Sequence, residues 1–336
     1  MKIIDLFSGI GGFALGFQRA GYQFTEHYFS EIDKHAIANY KHNFPHAKYI
    51  GDITTLHGGD FTDIDIITFG SPCQDFSLAG KREGLAGAKS SLIAHAIALI
   101  AQLKPSIFIW ENVKGAFSSN AGADFWAIIQ TLANLGGYTI EWQLLNTSWV
   151  LPQNRERIYL IGHLAGRSIP GVFPIGENDK LLDRKTRKEN RKRTSIKTSL
   201  ARTITARYSK MGSNDTYIVP KVAATLTGGG HSGGLHSDMT VIRQLKRGKN
   251  KGADLKICPT ISSNAFQENN LLNGVRRLTE IECERLQGFP DNWTQYGDYN
   301  GTIKPIAKTQ RYKLIGNAVT VDIVELIAKR LKFIEP

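Results

Sequence analysis

The chain predicts an α/β protein: a doubly wound, mostly parallel sheet, Rossmann-like, with a smaller β-rich unit attached. Three observations carry that expectation. Residues 1 to about 165 alternate short apolar runs with helix-like stretches, the pattern of a parallel sheet covered by helices on both faces. Residues 176–275 are instead rich in Gly, Ser, Thr, Asn, Lys and Arg, with few helix-period stretches. Helical spacing then returns between Asn317 and Phe333, through Val321, Val324, Ile327, Ala328 and Leu331, so the end of the chain is expected to pack back on its beginning. At 336 residues the chain is about two domains long. The expected division is 1–175 plus 310–336 for the first unit and 176–309 for the second.

Taken in order, Lys2–Phe7 reads as the first strand, followed by a glycine loop and a helix that stops near Gly21. Tyr28–Ser30 is the second strand with Asp33–Asn43 as its helix, Tyr49–Ile50 a short third, and Ile64–Phe69 a fourth. A long loop and a helix over Ser91–Leu103 follow, then a fifth strand at Ile107–Trp110 and a helix at Asp124–Leu135. Ile140–Leu145 and Ile158–Gly162 are further strands. In the polar region, Leu200–Thr205, Val222–Thr227 and Ile257–Ser262 repeat one apolar-x-x-Thr-apolar-hydroxyl pattern, expected as three β-hairpins because Thr and Ile suit strands.

With 41% hydrophobic and 21% charged residues, the composition excludes a disordered tail, a collagen-like fibre and a disulfide-stapled scaffold. No apolar run reaches the roughly 18 residues of a membrane span; Ser91–Leu103 is interrupted by His95 and Gln102. Asp5 falls inside the only early apolar stretch, against a signal peptide. Cys73, Cys258 and Cys283 are odd in number and far apart, with no metal-ligand spacing. The expectation is a soluble, cytoplasmic protein with no membrane association and no metal. Charge is concentrated. Residues 180–252 hold 18 Lys and Arg against 4 Asp and Glu, a net of +14, while the remainder carries 24 against 26. A field localised in this way suits a polyanion such as DNA or RNA; a solvated basic surface is the plainer alternative.

Asp5-Leu-Phe-Ser-Gly9-Ile-Gly11-Gly12-Phe-Ala14 ends the first strand and opens the first helix. By itself it satisfies a G-x-G-x-x-A dinucleotide pattern, with Glu31 about 20 residues on to hold a ribose, so a nicotinamide or flavin enzyme is a rival. Glu31, Asp52, Pro72-Cys73 and Glu111 each fall at or beyond the carboxyl end of a successive expected strand. In a doubly wound sheet those ends converge on one crevice. Two carboxylates there suit a ribose diol and an adenine amino group, and a thiol with a third carboxylate suits catalysis. Each alone also reads as a helix cap or turn residue. Cys73 lies in a loop of Pro, Gln and Ser, where a thiol can act as a nucleophile.

These motifs, in this order, resemble those of the bacterial-type DNA (cytosine-5)-methyltransferase family over nearly the whole chain. Asp5–Gly12 resembles its S-adenosylmethionine loop, Pro72-Cys73-Gln74 with Phe76-Ser77 its catalytic loop, and Glu111-Asn112-Val113 its acid motif. Gln153-Asn-Arg155-Glu-Arg157 resembles its Gln-x-Arg-x-Arg signature. Arg276–Thr279 through Leu286–Pro290, then Arg311-Tyr312 and Gly316–Val319, resemble its closing blocks. The resemblance implies transfer of a methyl group from S-adenosyl-L-methionine to C5 of a flipped-out cytosine. Cys73 is the implied nucleophile, Glu111 the proton donor to N3, and Arg155 and Arg157 the holders of the base O2 and the thiolate region. The implied cofactor contacts are Phe7, Gly9, Ile10, Gly11, Gly12, Glu31, Asp52, Ile53, Pro72 and Asn317, with Glu31 on the ribose and Asp52 on the adenine.

The resemblance also implies double-stranded DNA as partner, a restriction–modification or phage setting, a cognate restriction endonuclease acting on the same site, and a monomer. Residues 176–275 take the place of the target-recognition region, with Arg202, Arg207, Tyr208, Ser209, Lys210, His231, Ser232 and His236 as candidate readers, and 184–193 as a phosphate-binding arm. The loop Phe76–Leu92 is expected to close on the duplex, with Lys81, Arg82 and Lys89 on phosphates. Two departures stand out. Lys89 occupies a position where relatives carry Arg, and loses the bidentate fork; Ile32 follows Glu31 where relatives often place Trp. A tRNA cytosine-C5 methyltransferase and a catalytically silent DNA binder are the other readings.

Overall fold

The computed structural model describes residues 1–71, 92–116, 123–176, 242–244, 253–255, 258–259, 270–272 and 276–334. Its centre is a seven-stranded sheet of β1 (Lys2–Leu6), β2 (Glu26–Ser30), β3 (Lys48–Tyr49), β4 (Ile66–Phe69), β5 (Ile107–Val113), β6 (Tyr138–Asn146) and β8 (Glu156–Leu164). The two-residue β7 (Gln153–Asn154) lies just before β8. The order is β3-β2-β1-β4-β5-β8-β6. Pairing is parallel from β3 through β5. Only β8 runs antiparallel, to β5 on one side and β6 on the other. The strand order reverses between β1 and β4, so the crevice for a ligand opens at their carboxyl ends.

The inner strands are continuous apolar runs because both faces are covered. On one face α3 (Leu92–Leu103) and α4 (Ala123–Ala133) bring Ile93, Leu99, Phe125 and Leu132 onto Ile4, Ile67, Phe108 and Leu160. On the other, α1 (Gly12–Arg19) and α7 (Val321–Ala328) set Phe13, Phe17, Ile323 and Ile327 against Ile3, Ile66, Ile109 and Ile161. Helix α2 (Lys34–Asn43) starts where Asp33 accepts from the His35 and Ala36 N–H groups, an N-cap that satisfies otherwise orphaned donors. A third apolar cluster joins it to the loop after β1 through Ile10, Phe29, Tyr40, Phe44 and Phe289.

The structure departs from the sequence expectations at two places. β5 does not stop at Trp110: it runs on through Glu111 to Val113, because β8 pairs with it as far as Arg157. The single helix expected over Asn317–Phe333 is α6 (Lys308–Asn317), a break, α7, and a strand at Lys332–Phe333. The break holds because Arg155 takes the Gly316 and Ala318 carbonyls, 3.3 and 2.8 Å away, that a continuing helix would need. Further along, α5 (Glu280–Leu286) opens with a capping box of Thr279 and Glu282, and Phe289 and Ile306 enter the core beside Ile10.

The small β-rich part is a four-stranded sheet of β10 (Ile242–Gln244), β11 (Ala253–Leu255), β13 (Asn270–Leu272) and β14 (Arg276–Arg277). Between them β12 (Cys258–Pro259), in the third repeat copy, pairs parallel with Gln153-Asn154 of β7. The first two repeat copies, the 184–193 arm and the candidate base readers lie outside the described residues, as does the loop from Pro72 to Ser91. A hairpin of β15 (Tyr296–Tyr299) and β16 (Thr302–Pro305) packs on α2, and β9 (Ser168–Ile169) pairs with β17 (Lys332–Phe333). Among the described residues no helix is long and apolar enough to cross a membrane.

Gly162 faces Phe108 across β5 and β8, and a Cβ there would run into the Phe108 ring. Gly162→Ala is therefore expected to destabilise the fold by about 1–3 kcal/mol through overpacking. Thermal unfolding checks it; an unchanged midpoint would mean that this contact relaxes freely.

Candidate active site

The chain turns from β1 into α1 through Phe7 (φ 51°), Gly9 (φ 53°) and Gly11 (φ 80°). The three glycines have different reasons to be there. A Cβ on Gly11 would strike Phe44, and one on Gly12 would lie 2.6 Å from Val319 Cγ2. Gly11 is set by packing as well as by its backbone angle, Gly12 by packing. A Cβ on Gly9 would meet nothing within 4 Å. Gly9 is thus the open point of the loop, where a ligand can approach the backbone. The loop is held from behind by the Trp293 indole, which donates to the Ile10 carbonyl at 2.9 Å. The Ile10 side chain itself is fully buried, as is most of Ile53, so of these two expected contacts only the backbone is available to a ligand.

Glu31 follows β2 and is fixed by three backbone donors: Gly9 to Oε2 at 2.9 Å, and Ile32 and Asp33 to Oε1 at 2.7 and 3.0 Å. Each carboxylate oxygen has two acceptor sites, so Oε2 retains one for a hydroxyl group. Asp52 caps a short 3₁₀ turn, its Oδ1 accepting from Thr54 at 3.0 Å. Ile32 is 72% exposed beside them, and Tyr49, which donates to the Glu31 carbonyl at 3.0 Å, is also exposed. Asn317 is exposed at the end of α6 between buried neighbours. An open glycine, a pre-oriented carboxylate, a second carboxylate and exposed apolar surface on the same crevice fit the sulfonium-nucleoside S-adenosylmethionine.

Behind the glycine loop lies a network that sequence reasoning missed. Asp5 of β1 is fully buried and accepts from Thr68 of β4 at 2.8 Å and from Tyr40 of α2 at 3.1 Å. Tyr40 in turn meets His27 Nε2 of β2 at 2.7 Å and stacks on Phe29, centroids 4.1 Å apart. Burial pushes the Asp5 carboxyl up to about 8, against the lowering effect of its two hydroxyl donors. Burial also holds His27 down at about 4. The available signal was a lone acid in an otherwise apolar strand, a residue that must be paired or neutral inside.

On the other side of the switch point, Glu111 and Arg157 meet. Arg157 opens β8 opposite Val113, which puts it diagonally across from Glu111 on the same face. The Arg157 Nε lies 3.1 Å from Glu111 Oε1. Glu111 is nearly buried, and its Oε2 lies 3.2 Å from where a Cβ on Gly70 would be. Burial raises its pKa, with the charges of Arg157 and Arg155 opposing. Gln153, Arg155 and Arg157 alternate along one extended run, yet they point to different partners. Arg155 is buried and donates to the Gly316 and Ala318 carbonyls. It ties this strand to the block around Asn317.

Asn112 and Trp110 reach the end of β4 from the opposite face of β5. The Asn112 amide donates to the carbonyl and the Oγ of Ser71, both at 3.1 Å, and the Trp110 indole donates to the same Oγ at 3.1 Å. Pro72 and Cys73 come next in the sequence and lie outside the described residues.

A doubly wound sheet with its ligand crevice at this switch point is the scaffold of an S-adenosylmethionine-dependent methyltransferase. A family model described as C-5 cytosine-specific DNA methylase matches residues 1–333, and the chain belongs to that family. Its activity is that of a DNA (cytosine-5-)-methyltransferase. Among curated relatives, the type II methyltransferase M.HaeII of Haemophilus aegyptius is 34% identical over 97% of this chain and 91% of its own length. M.Bsp6I of Bacillus sp. (strain RFL6) is 30% identical over 98% of each chain. The crystal structure of the S. pombe Dnmt2 methyltransferase has the same fold, with a TM-score of 0.61, 21% identity, and coverage of 97% of this chain and 96% of that one.

The buried network gives the stability a pH dependence. Asp5, raised from 3.8 to about 8, contributes stability that is complete below about 4 and lost as pH climbs to about 8. His27, depressed from 6.5 to about 4, contributes stability that is lost as pH falls through that interval. Between pH 4 and 6.5 the two oppose each other; from 6.5 to 8 only Asp5 of this pair still changes. Thermal stability is expected to fall over that upper interval, by up to ~1.4 kcal/mol per pH unit, and Asp5→Asn to remove that part of the slope. A variant that keeps the full wild-type slope would refute the assignment.

Proposed function

We propose that this enzyme methylates a cytosine flipped out of a specific duplex sequence, through a covalent bond to Cys73. The observation that carries this reading is the buried Glu111 carboxyl, held 3.1 Å from Arg157 and over Gly70, three residues before Cys73. Cytosine C5 is too weak a nucleophile to take a methyl group unaided. The Cys73 thiolate adds to C6, forming a C–S bond and moving the ring electrons toward C5 and N3. Glu111 supplies a proton at N3, which burial prepares it to do by raising its pKa. Arg157 holds the carboxyl in place and faces the base with its remaining donors. S-adenosylmethionine, when bound, supplies the methyl group. Loss of the C5 proton to solvent base and breakage of the C6–S bond then restore the aromatic ring and the thiolate, and N3 returns its proton to Glu111.

The cofactor is assigned to the crevice of Phe7, Gly9, Ile10, Gly11, Gly12, Glu31, Asp52, Ile53, Pro72 and Asn317. Glu31 takes the ribose hydroxyls and Asp52 the adenine amino group. Arg155 acts as a positioning residue, tying the Gln-x-Arg-x-Arg strand to the block that carries Asn317. The target carbon is inaccessible in a stacked duplex, so the base is extruded before reaction. The net charge of +14 over residues 180–252 supplies the phosphate attraction. Residues 176–275 read the target, and the enzyme works as a cytoplasmic monomer in a restriction–modification or phage setting, beside an endonuclease of the same specificity. The type II methyltransferases among its relatives support that setting.

Nucleoside mass spectrometry on unmethylated genomic DNA incubated with the enzyme and S-adenosylmethionine tests the reading. New 5-methylcytosine is expected with the wild type. Cys73→Ser should lower its formation by at least about 10³-fold while calorimetric affinity for S-adenosylmethionine stays within about threefold; normal turnover would remove Cys73 as nucleophile. Glu111→Gln keeps the shape but not the acid, and should lower kcat by about 10²–10⁴-fold with DNA binding retained. Wild-type kcat in that variant would show that N3 is protonated by another group.

A further inference from the structure

Glu111 lies in the β5 segment Trp110-Glu111-Asn112, and successive side chains of a strand point to opposite faces. Glu111 looks toward the crevice, whereas Trp110 and Asn112 look toward the covered face and converge on Ser71. Ser71 is itself 6% exposed, so its hydroxyl is not there to meet solvent. Its Oγ accepts two hydrogen bonds, from the Trp110 indole and the Asn112 amide, both at 3.1 Å, which occupies both lone pairs of a hydroxyl group. Trp110 is fully buried and has Phe69 of β4 as its register partner. Its ring lies against Phe125 of α4, centroids 6.3 Å apart and planes at 23°, and Phe125 meets Trp142 of β6 edge-on at 5.3 Å. The indole is therefore held on its flanks by packing, and its N–H is aimed at one atom.

We propose that Ser71 and Trp110 form a positioning pair that fixes where the chain leaves β4 and so aligns the Cys73 thiol with the base held at Glu111. The inference rests on the reading of Cys73 as nucleophile. Cys73 follows Ser71 by two residues, which span at most about 7 Å, so the anchor at Ser71 bounds where the nucleophile can lie. Misplacement of a reacting group by about 1 Å can cost about 10²-fold in rate. Sheet stability does not require this hydrogen bond, because the β4–β5 ladder from Ile66 to Phe69 is complete without it. The effect of Ser71 and Trp110 is expected on the chemical step, read as kcat.

The test uses the full chain as Ser71→Ala, Trp110→Phe, the double variant, Ser71→Thr and Cys73→Ser. Methyl transfer to unmethylated bacterial genomic DNA gives kcat and KM, calorimetry gives S-adenosylmethionine affinity, and thermal unfolding gives stability. Ser71→Ala and Trp110→Phe should each lower kcat 10–100-fold, leave KM for DNA within twofold, and combine to no more than the worse single loss. Ser71→Thr, which keeps the acceptor oxygen, should restore kcat to within about fivefold of the wild type. Variants that melt earlier but turn over at the wild-type kcat would make the pair purely structural and overturn the inference. A loss confined to cofactor affinity would overturn it equally. Cys73→Ser separates the two layers: turnover by that variant refutes the nucleophile, whereas an inactive Cys73→Ser beside a fully active Ser71→Ala refutes the positioning pair alone.

Discussion

One antiparallel strand makes the reaction side of this enzyme. In a purely parallel sheet every strand starts at the same edge, and the start of one strand never meets the end of its neighbour. Because β8 runs against β5, its first residues stand beside the last residues of β5, at the edge where the crevice opens. Arg157 can then reach Glu111, and Arg155, one step earlier, can reach the break between α6 and α7. A carboxyl as buried as Glu111 would be strongly destabilising without a cation beside it, and the reversed strand is what brings one there.

The cofactor side is organised by a different constraint, the close approach of backbone elements. Gly11 and Gly12 let aromatic rings and Val319 press against the loop, while Gly9 leaves it open. The loop is thereby rigid on its inner side and bare on its outer side. The buried Asp5, hydrogen-bonded to Thr68 and Tyr40, pins three elements beneath it. Of the two polar arrangements, this one spans the boundary of β1 and β4, where the strand order reverses, and the Glu111–Arg157 pair lies on β5 and β8.

Much of this was legible in the sequence, for physical reasons that also mark where legibility ends. Apolar runs such as Ile66–Phe69 identify buried parallel strands, and the spacing of Glu31, Asp52 and Glu111 against those runs locates the crevice. Strand direction is not legible, since the alternation of β8 reads the same either way. The break at Ala318 was hidden because the apolar period continues through Val319 and Val321; the residue enforcing it, Arg155, is remote in sequence. Cys258-Pro259 looked like a third hairpin strand, but its partner is β7, a two-residue pairing with no pattern of its own. Thr68, Tyr40 and His27 each satisfy local rules for a strand or helix, so their convergence on Asp5 had no local signature. The packing of Phe289 and Trp293 under the glycine loop was missed because a boundary drawn from composition falls after them.

The contact of Gly12 with Val319, and of Gly16 with Val324, has a consequence for how the molecule is made. A ribosome emits α1 about 300 residues before α7. At roughly 5–20 residues per second, α1 waits about 15–60 s for the helix that covers it. Until then the nascent chain carries a bare apolar groove beside its central strand, a natural place for a chaperone to hold.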